Sequence, residues 1–166
     1  MDISSGKYIV LGFIVIYSFY YFRWIFRSRM TFKGETYLDE YDKTELKKVT
    51  ESLMGDLSNM YGVKVPKWGF NDLTKNDYRG VYIGEIKTIY FDYEMLKTKE
   101  YYISDWFSLV VHEFTHYFDH LTLESEGKNW QRHYTDRKDF YEMRADDNGE
   151  KVGGELYLNY LRDGKI

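Results

Sequence analysis

The sequence predicts an α+β domain: a small mixed or antiparallel sheet packed on one long helix, preceded by an N-terminal transmembrane helix. Three observations predict it. Residues 8–22, "YIVLGFIVIYSFYYF", carry no charge. Residues 80–92, "GVYIGEIKTIYFD", concentrate β-branched and aromatic residues. On either side of that strand-forming stretch, apolar residues recur at helical spacing: first Leu46, Val49, Leu53, Leu57 and Met60, later "SDWFSLVVHEFTHYFDHL". The order helix, small sheet, helix, helix is an α+β order.

The N-terminal element comes first. Counted through Arg23, residues 8–26 would span roughly 28 Å as a helix, close to a bilayer's hydrocarbon thickness. Tyr17, Tyr20, Tyr21 and Trp24 suit an interfacial belt, and Arg23 sits where a long side chain reaches headgroups. A buried core helix and a cleaved leader are the rival readings. The leader "MDISSGK" is barely basic, however, and no small-x-small site follows the apolar run. Lys7 precedes the segment, whereas Arg23, Arg27, Arg29 and Lys33 lie at its end or beyond. The positive-inside rule then gives a single-pass protein with its domain in the cytoplasm; the reversed, extracytoplasmic orientation is the alternative. The expected division is residues 1–30, anchor and juxtamembrane segment, and residues 31–166, the domain.

Residues 31–41 read as a connector. A helix is expected from Thr44 to Tyr61, with Gly62 as its stop. "VKV" before Pro66 reads as a short strand, and residues 80–92 as one bent strand or two strands around Gly84 and Glu85. Ser104 or Asp105 can cap the next helix. Residues 124–137 are polar and turn-like. A last helical stretch runs from Arg137 to Leu161, interrupted near Gly149, Gly153 and Gly154.

Composition narrows the function. The 166 residues carry a formal net charge of -4 and no basic block, which argues against a nucleic-acid surface. The chain has no cysteine, so disulfides, thiolate metal sites and cysteine nucleophiles are excluded. Oligomeric state is not fixed by any of these features.

The chemistry concentrates in "LVVHEFTHYFDHL", residues 109–121, which holds three of the four histidines. His112, Glu113 and His116 match H-E-x-x-H. Helix positions i and i+4 share a face, so two imidazoles there can converge on one zinc ion. Glu113 sits one step aside, where a base for the metal-held water is needed. His120 lies about 12 Å along the axis from His112, so all three imidazoles cannot meet one ion. A third histidine six residues after His116 would fall at Thr122, and its accompanying glycine at Asp119; neither is present. His120 is therefore read as a residue behind the ligands or at the rim, and Asp119 as a surface or hydrogen-bonding group.

Downstream, "YEMRADDNGE" places Glu142 and Asp146 four apart on an expected helix. With His112–His116, Glu142-Met-Arg-Ala145-Asp146 resembles the gluzincin branch of the zincin-type zinc metallopeptidases, which pairs H-E-x-x-H with a later E-x-x-x-D. The short interval is similar to the compact minigluzincins. The resemblance covers the two motifs and their order, within residues 80–160. It implies a zincin-like fold, Glu142 as third zinc ligand, and Asp146 accepting a hydrogen bond from the outer nitrogen of His112. Ala145 would let the two helices approach closely.

The expected function is a membrane-anchored zinc peptidase, acting on peptide or protein substrates through water activated by Glu113. His133, Tyr134 and Tyr141 are candidates for stabilising the oxyanion. Ile86–Phe91 is the strand expected to align an extended substrate by main-chain pairing. Residues 122–139 are a segment able to cover the site. The alternatives are a non-catalytic zinc-stabilised binding module and a structural component of a larger phage or mobile-element assembly. An intact Glu113 speaks against the first of these, because a structural zinc needs no base.

Overall fold

The chain divides into two units, Met1–Glu35 and Thr36–Ile166. The computed structural model describes residues 36–73, 78–94 and 101–166, all within the second unit. They form a mostly helical α+β domain around one three-stranded sheet.

The first helix, α1 (Lys43–Tyr61), begins at Asp42. Asp42 Oδ1 accepts from the backbone N–H of Thr44 at 2.6 Å and of Glu45 at 2.8 Å, and Glu45 returns a bond to the Asp42 N–H at 2.9 Å. This reciprocal box satisfies donors that a helix start leaves free. Gly62 ends the helix in the left-handed region, at φ 66°. Leu46, Leu53, Met54 and Leu57 are fully buried on one face.

Three strands follow: β1 (Lys67–Asn71), β2 (Gly80–Ile83) and β3 (Thr88–Asp92). Their order is β1-β3-β2. β3 is central, parallel to β1 with Trp68 opposite Ile89, and antiparallel to β2 with Tyr82 opposite Ile89. A 3₁₀ turn, Gly84–Ile86, joins β2 to β3. The expected strand before Pro66 lies after it instead. Val65 is 55% exposed, and pairing with β3 starts only at Lys67.

The central helix is α2 (Ile103–Ser125). Asp105 accepts the Tyr102 N–H at its start, 3.0 Å away. Its apolar stripe, Trp106, Phe107, Val110, Val111 and Phe114, is almost wholly buried and forms the middle of the core with α1, β3 and the C-terminal helix. Trp106 Nε1 donates to Thr50 Oγ1 at 3.0 Å, which satisfies both groups across the α1–α2 interface. Beyond α2 lie α3 (Trp130–Asp136), α4 (Lys138–Asn148), a π-helical turn (Gly149–Gly153) and α5 (Gly154–Arg162). The region read as turn-like thus contains α3, which starts at Asn129, whose side chain accepts the Arg132 N–H at 2.9 Å.

The last helical stretch crosses α2 at its glycines. A Cβ on Gly149 would stand 2.8 Å from the Ser108 carbonyl oxygen, and one on Gly153 would stand 2.9 Å from Ser108 Cα. Only hydrogen at both positions allows the backbones this close. The contact falls one turn before His112, so it sets how α4 meets the histidine face.

The fold class and location read from the sequence need one correction. No helix among the described residues is long and apolar enough to cross a membrane. The stretch expected to do so, residues 8–26, lies outside the described residues. The transmembrane helix, and the single-pass location inferred from it, are therefore set aside. Among the described helices the reason is compositional: the two long ones, α1 and α2, are amphipathic, each with an apolar stripe for the core and charged residues elsewhere.

Candidate metal centre

His112 and His116 project from successive turns of α2 toward α4, which carries Glu142. The two Nε2 atoms lie 3.2 Å apart. Glu142 Oε2 lies 3.5 Å from His112 Nε2, and its Oε1 lies 3.7 Å from His116 Nε2. These three residues offer one donor atom each, all within 4.8 Å of one another. They are the one group of three or more such side chains found among the described residues. Donors bound at about 2.0–2.1 Å at tetrahedral angles stand about 3.3–3.5 Å apart. The two imidazole nitrogens, 3.2 Å apart, stand close to that spacing, the carboxylate meets each of them with a different oxygen, and two imidazoles with one carboxylate suit a zinc-like ion.

The surroundings hold the donors in place. His112 Nδ1 pairs with Asp146 Oδ1 at 3.1 Å, which leaves Nε2 turned toward the cluster. Ala145 is fully buried between α4 and α2. The Tyr134 hydroxyl, from α3, donates to Glu142 Oε1. Asp119 is not a surface group: it is 2% exposed, and Arg144 of α4 pairs with it at 2.7 Å. This ion pair ties α2 to α4 one turn beyond the cluster.

Charge follows the geometry. Burial works against the His112 imidazolium, but the carboxylates of Glu142, Glu113 and Asp146 outweigh it and raise its pKa above the ordinary value. Bonds to His112 and then His116 hold Glu142 far below the usual carboxylate range, despite partial burial. Glu113 behaves in the opposite way. It is 5% exposed, and burial raises its pKa against the pull of His112 and His116. The Tyr82 N–H of β2 donates to its carboxylate. Gly80, two residues earlier, leaves the room it needs: a Cβ there would stand 2.8 Å from Glu113 Oε1.

The three oxyanion candidates separate by position. Tyr134 reaches the cluster through its hydroxyl and sets its ring edge-on to His116, with centroids 5.7 Å apart. Burial first, and Glu142 second, raise the pKa of its hydroxyl, which keeps the proton on it. Tyr141 is 5% exposed and packs on Trp130 and Tyr134. His133 lies in the last turn of α3. The strand expected to align substrate also changes. β3 is paired on both edges, by β1 and β2, so it has no free main-chain groups to offer. The strand beside Glu113 is β2, which is at the sheet edge.

Sequence reasoning missed Tyr82, Gly80, Trp130 and Arg144. Gly80 and Tyr82 share one face of a strand by their spacing of two, but nothing local to them points to Glu113. Asp119 carried a usable signal, because positions 112, 116 and 119 fall on one helical stripe. Comparison with protein-family models, with characterised proteins and with solved structures finds no match for this chain.

Proposed function

We propose that the chain is a zinc-dependent peptidase of gluzincin type. The observation that carries this reading is the convergence of His112, His116 and Glu142 beside a buried, separately held Glu113. A purely structural ion needs no such base, and a catalytic one keeps an open position beside three protein ligands. When bound, zinc would acidify a water and polarise the scissile carbonyl.

The remaining roles belong to the chain. Glu113 takes the proton of the attacking water and later delivers one to the leaving amine, a cycle favoured by a carboxylate whose pKa burial lifts above its ordinary value. Asp146 fixes the His112 tautomer. Tyr134, whose single O–H is given to Glu142 Oε1 here, would serve the oxyanion by turning from that carboxylate. The edge strand β2 offers main-chain groups for an extended peptide beside Glu113.

The test is metal analysis of the purified full chain combined with cleavage of quenched fluorescent peptides. One zinc per chain is expected. Glu113→Gln keeps the zinc and loses hydrolysis; Glu142→Ala loses zinc at limiting metal. A Glu113→Gln variant that cleaves peptides as fast as the parent would remove the base assignment. A parent that binds no zinc after supplementation would remove the whole reading.

A further inference from the structure

His120 is the third histidine of the α2 stripe, and the metal cluster does not use it. Its ring turns to β2 instead. Nδ1 lies 2.7 Å from the Tyr82 hydroxyl. Its plane lies on the Trp130 indole, with centroids 5.4 Å apart and 11° between planes. Tyr82 stands edge-on to both rings, at 5.9 Å from His120 and 6.1 Å from Trp130. Burial first, and Lys87 second, lower the pKa of His120, which favours the neutral ring, and its Nδ1 shares one hydrogen bond with the Tyr82 hydroxyl.

The same strand touches α2 at a second point. Gly80 and Tyr82 face one way because they are two apart in a strand. Gly80 lies over Glu113, and Tyr82 reaches His120, about two turns further along α2. Between those pegs, the Tyr82 N–H holds the Glu113 carboxylate. Gly84 closes the far end: a Cβ there would stand 2.7 Å from Trp130 Cδ1 and 3.5 Å from His120 Nδ1. A slide of β2 along α2 would break the Tyr82–His120 bond and move the Tyr82 N–H off Glu113 together.

We propose that His120 is a positioning residue: through the Tyr82 hydroxyl it fixes the placement of β2 over Glu113, and so the alignment of a substrate backbone along that strand. The second half rests on the peptidase reading; the first half does not. It also assigns Trp130 a task, as the flat surface that holds the His120 ring in the orientation the bond needs.

The experiment uses the full chain with Tyr82→Phe, His120→Phe, the double variant and His120→Asn. Phenylalanine keeps ring packing in each case, and asparagine returns an acceptor near the place of Nδ1. Amide exchange across residues 80–83 is read first, in metal-free protein. The amide of residue 82 is expected to exchange about tenfold faster in both single variants, by the same factor in the double variant, and at close to the parent rate in His120→Asn. With zinc and an extended peptide, KM is expected to rise several-fold in the same variants, with rescue by asparagine and zinc content unchanged. Parent-like exchange at Tyr82 in Tyr82→Phe overturns the proposal, whatever the activity. Faster exchange with unchanged KM overturns the substrate half. A parent that holds zinc but cleaves nothing overturns the peptidase reading and leaves the exchange result to decide the placement of β2.

Discussion

Three glycines lie within six residues of the C-terminal helical stretch, and the structure gives them opposite signs. Gly153 meets backbone: its added Cβ would stand 2.9 Å from Ser108 Cα, 3.0 Å from Ser108 N and 3.2 Å from Phe107 C. Gly154, the next residue, has nothing within 4 Å. Both are helical, so alanine gains roughly 0.8–1 kcal/mol of helix propensity at either site. At Gly154 that gain stands alone, and Gly154→Ala is expected to stabilise by about 1 kcal/mol. At Gly153, comfortable carbon contacts of about 3.5–4.0 Å require the helices to part by roughly 0.6–1 Å. Overpacking of that kind costs about 1–3 kcal/mol. The net expectation for Gly153→Ala is a loss of up to about 2 kcal/mol. Unfolding entropy near 2.1 cal/mol/K per residue makes 1 kcal/mol about 4 °C for a unit the size of residues 36–166. Thermal unfolding of the metal-free full chain should thus rise about 4 °C for Gly154→Ala and fall by up to about 8 °C for Gly153→Ala. Because the crossing lies one turn before His112, Gly153→Ala should also weaken zinc binding, and Gly154→Ala should not. Equal rises in Tm for the two variants would refute the close crossing, and with it the claim that it sets the approach of Glu142.

Other outcomes follow from the same geometry. Gly80→Ala drives a methyl into Glu113, which is buried and cannot swing away; hydrolysis should fall on the order of 10²-fold with zinc retained, read by kcat at saturating peptide. Zinc binding should weaken as pH falls, beginning above the ordinary imidazole value of about 6.5, because the raised His112 pKa makes a proton the competitor; competition titrations with a chelator from pH 8 to 6 would check it. Arg144→Met leaves Asp119 buried without its cation. A broken buried pair costs about 3–5 kcal/mol, discounted here to about 2 kcal/mol because the guanidinium is partly solvated. Burial already raises the Asp119 pKa against Arg144, so the folded state takes up a proton more readily than the unfolded chain. That contribution is fully present below the unfolded value of about 3.9 and is lost as pH rises through the folded pKa. Removing Arg144 moves the folded pKa further up, so the stability gap to the parent should narrow between pH 7 and pH 5, measured by urea unfolding. A gap independent of pH would mean that Arg144 acts through packing alone.

What the sequence revealed, and what it hid, divides by the range of the interaction. His112 and His116 were readable because one helical turn joins them, and Glu142 and Asp146 for the same reason, each pair within one element. Their meeting is a matter of two helices, and Ala145, Gly149 and Gly153 were the only signs of how closely those helices approach. Strand order was not readable. Residues 80–92 held two equally apolar strands, and only the arrival of β1 beside β3 decided which of them would be the edge. α3 was missed because its one buried apolar residue, Trp130, sits in a polar stretch and packs on partners from α2 and β2. The three histidines of α2 show the limit most directly. Spacing gives all three one stripe, and the rise of the helix forbids one ion from binding them all. It does not say what the third one meets. The stripe runs under α4 for its first two turns and under β2 for the next, so the same residue type meets a carboxylate at 112 and 116 and a tyrosine at 120. The motif names the chemistry, but the neighbour over each turn of the helix decides which residues take part in it.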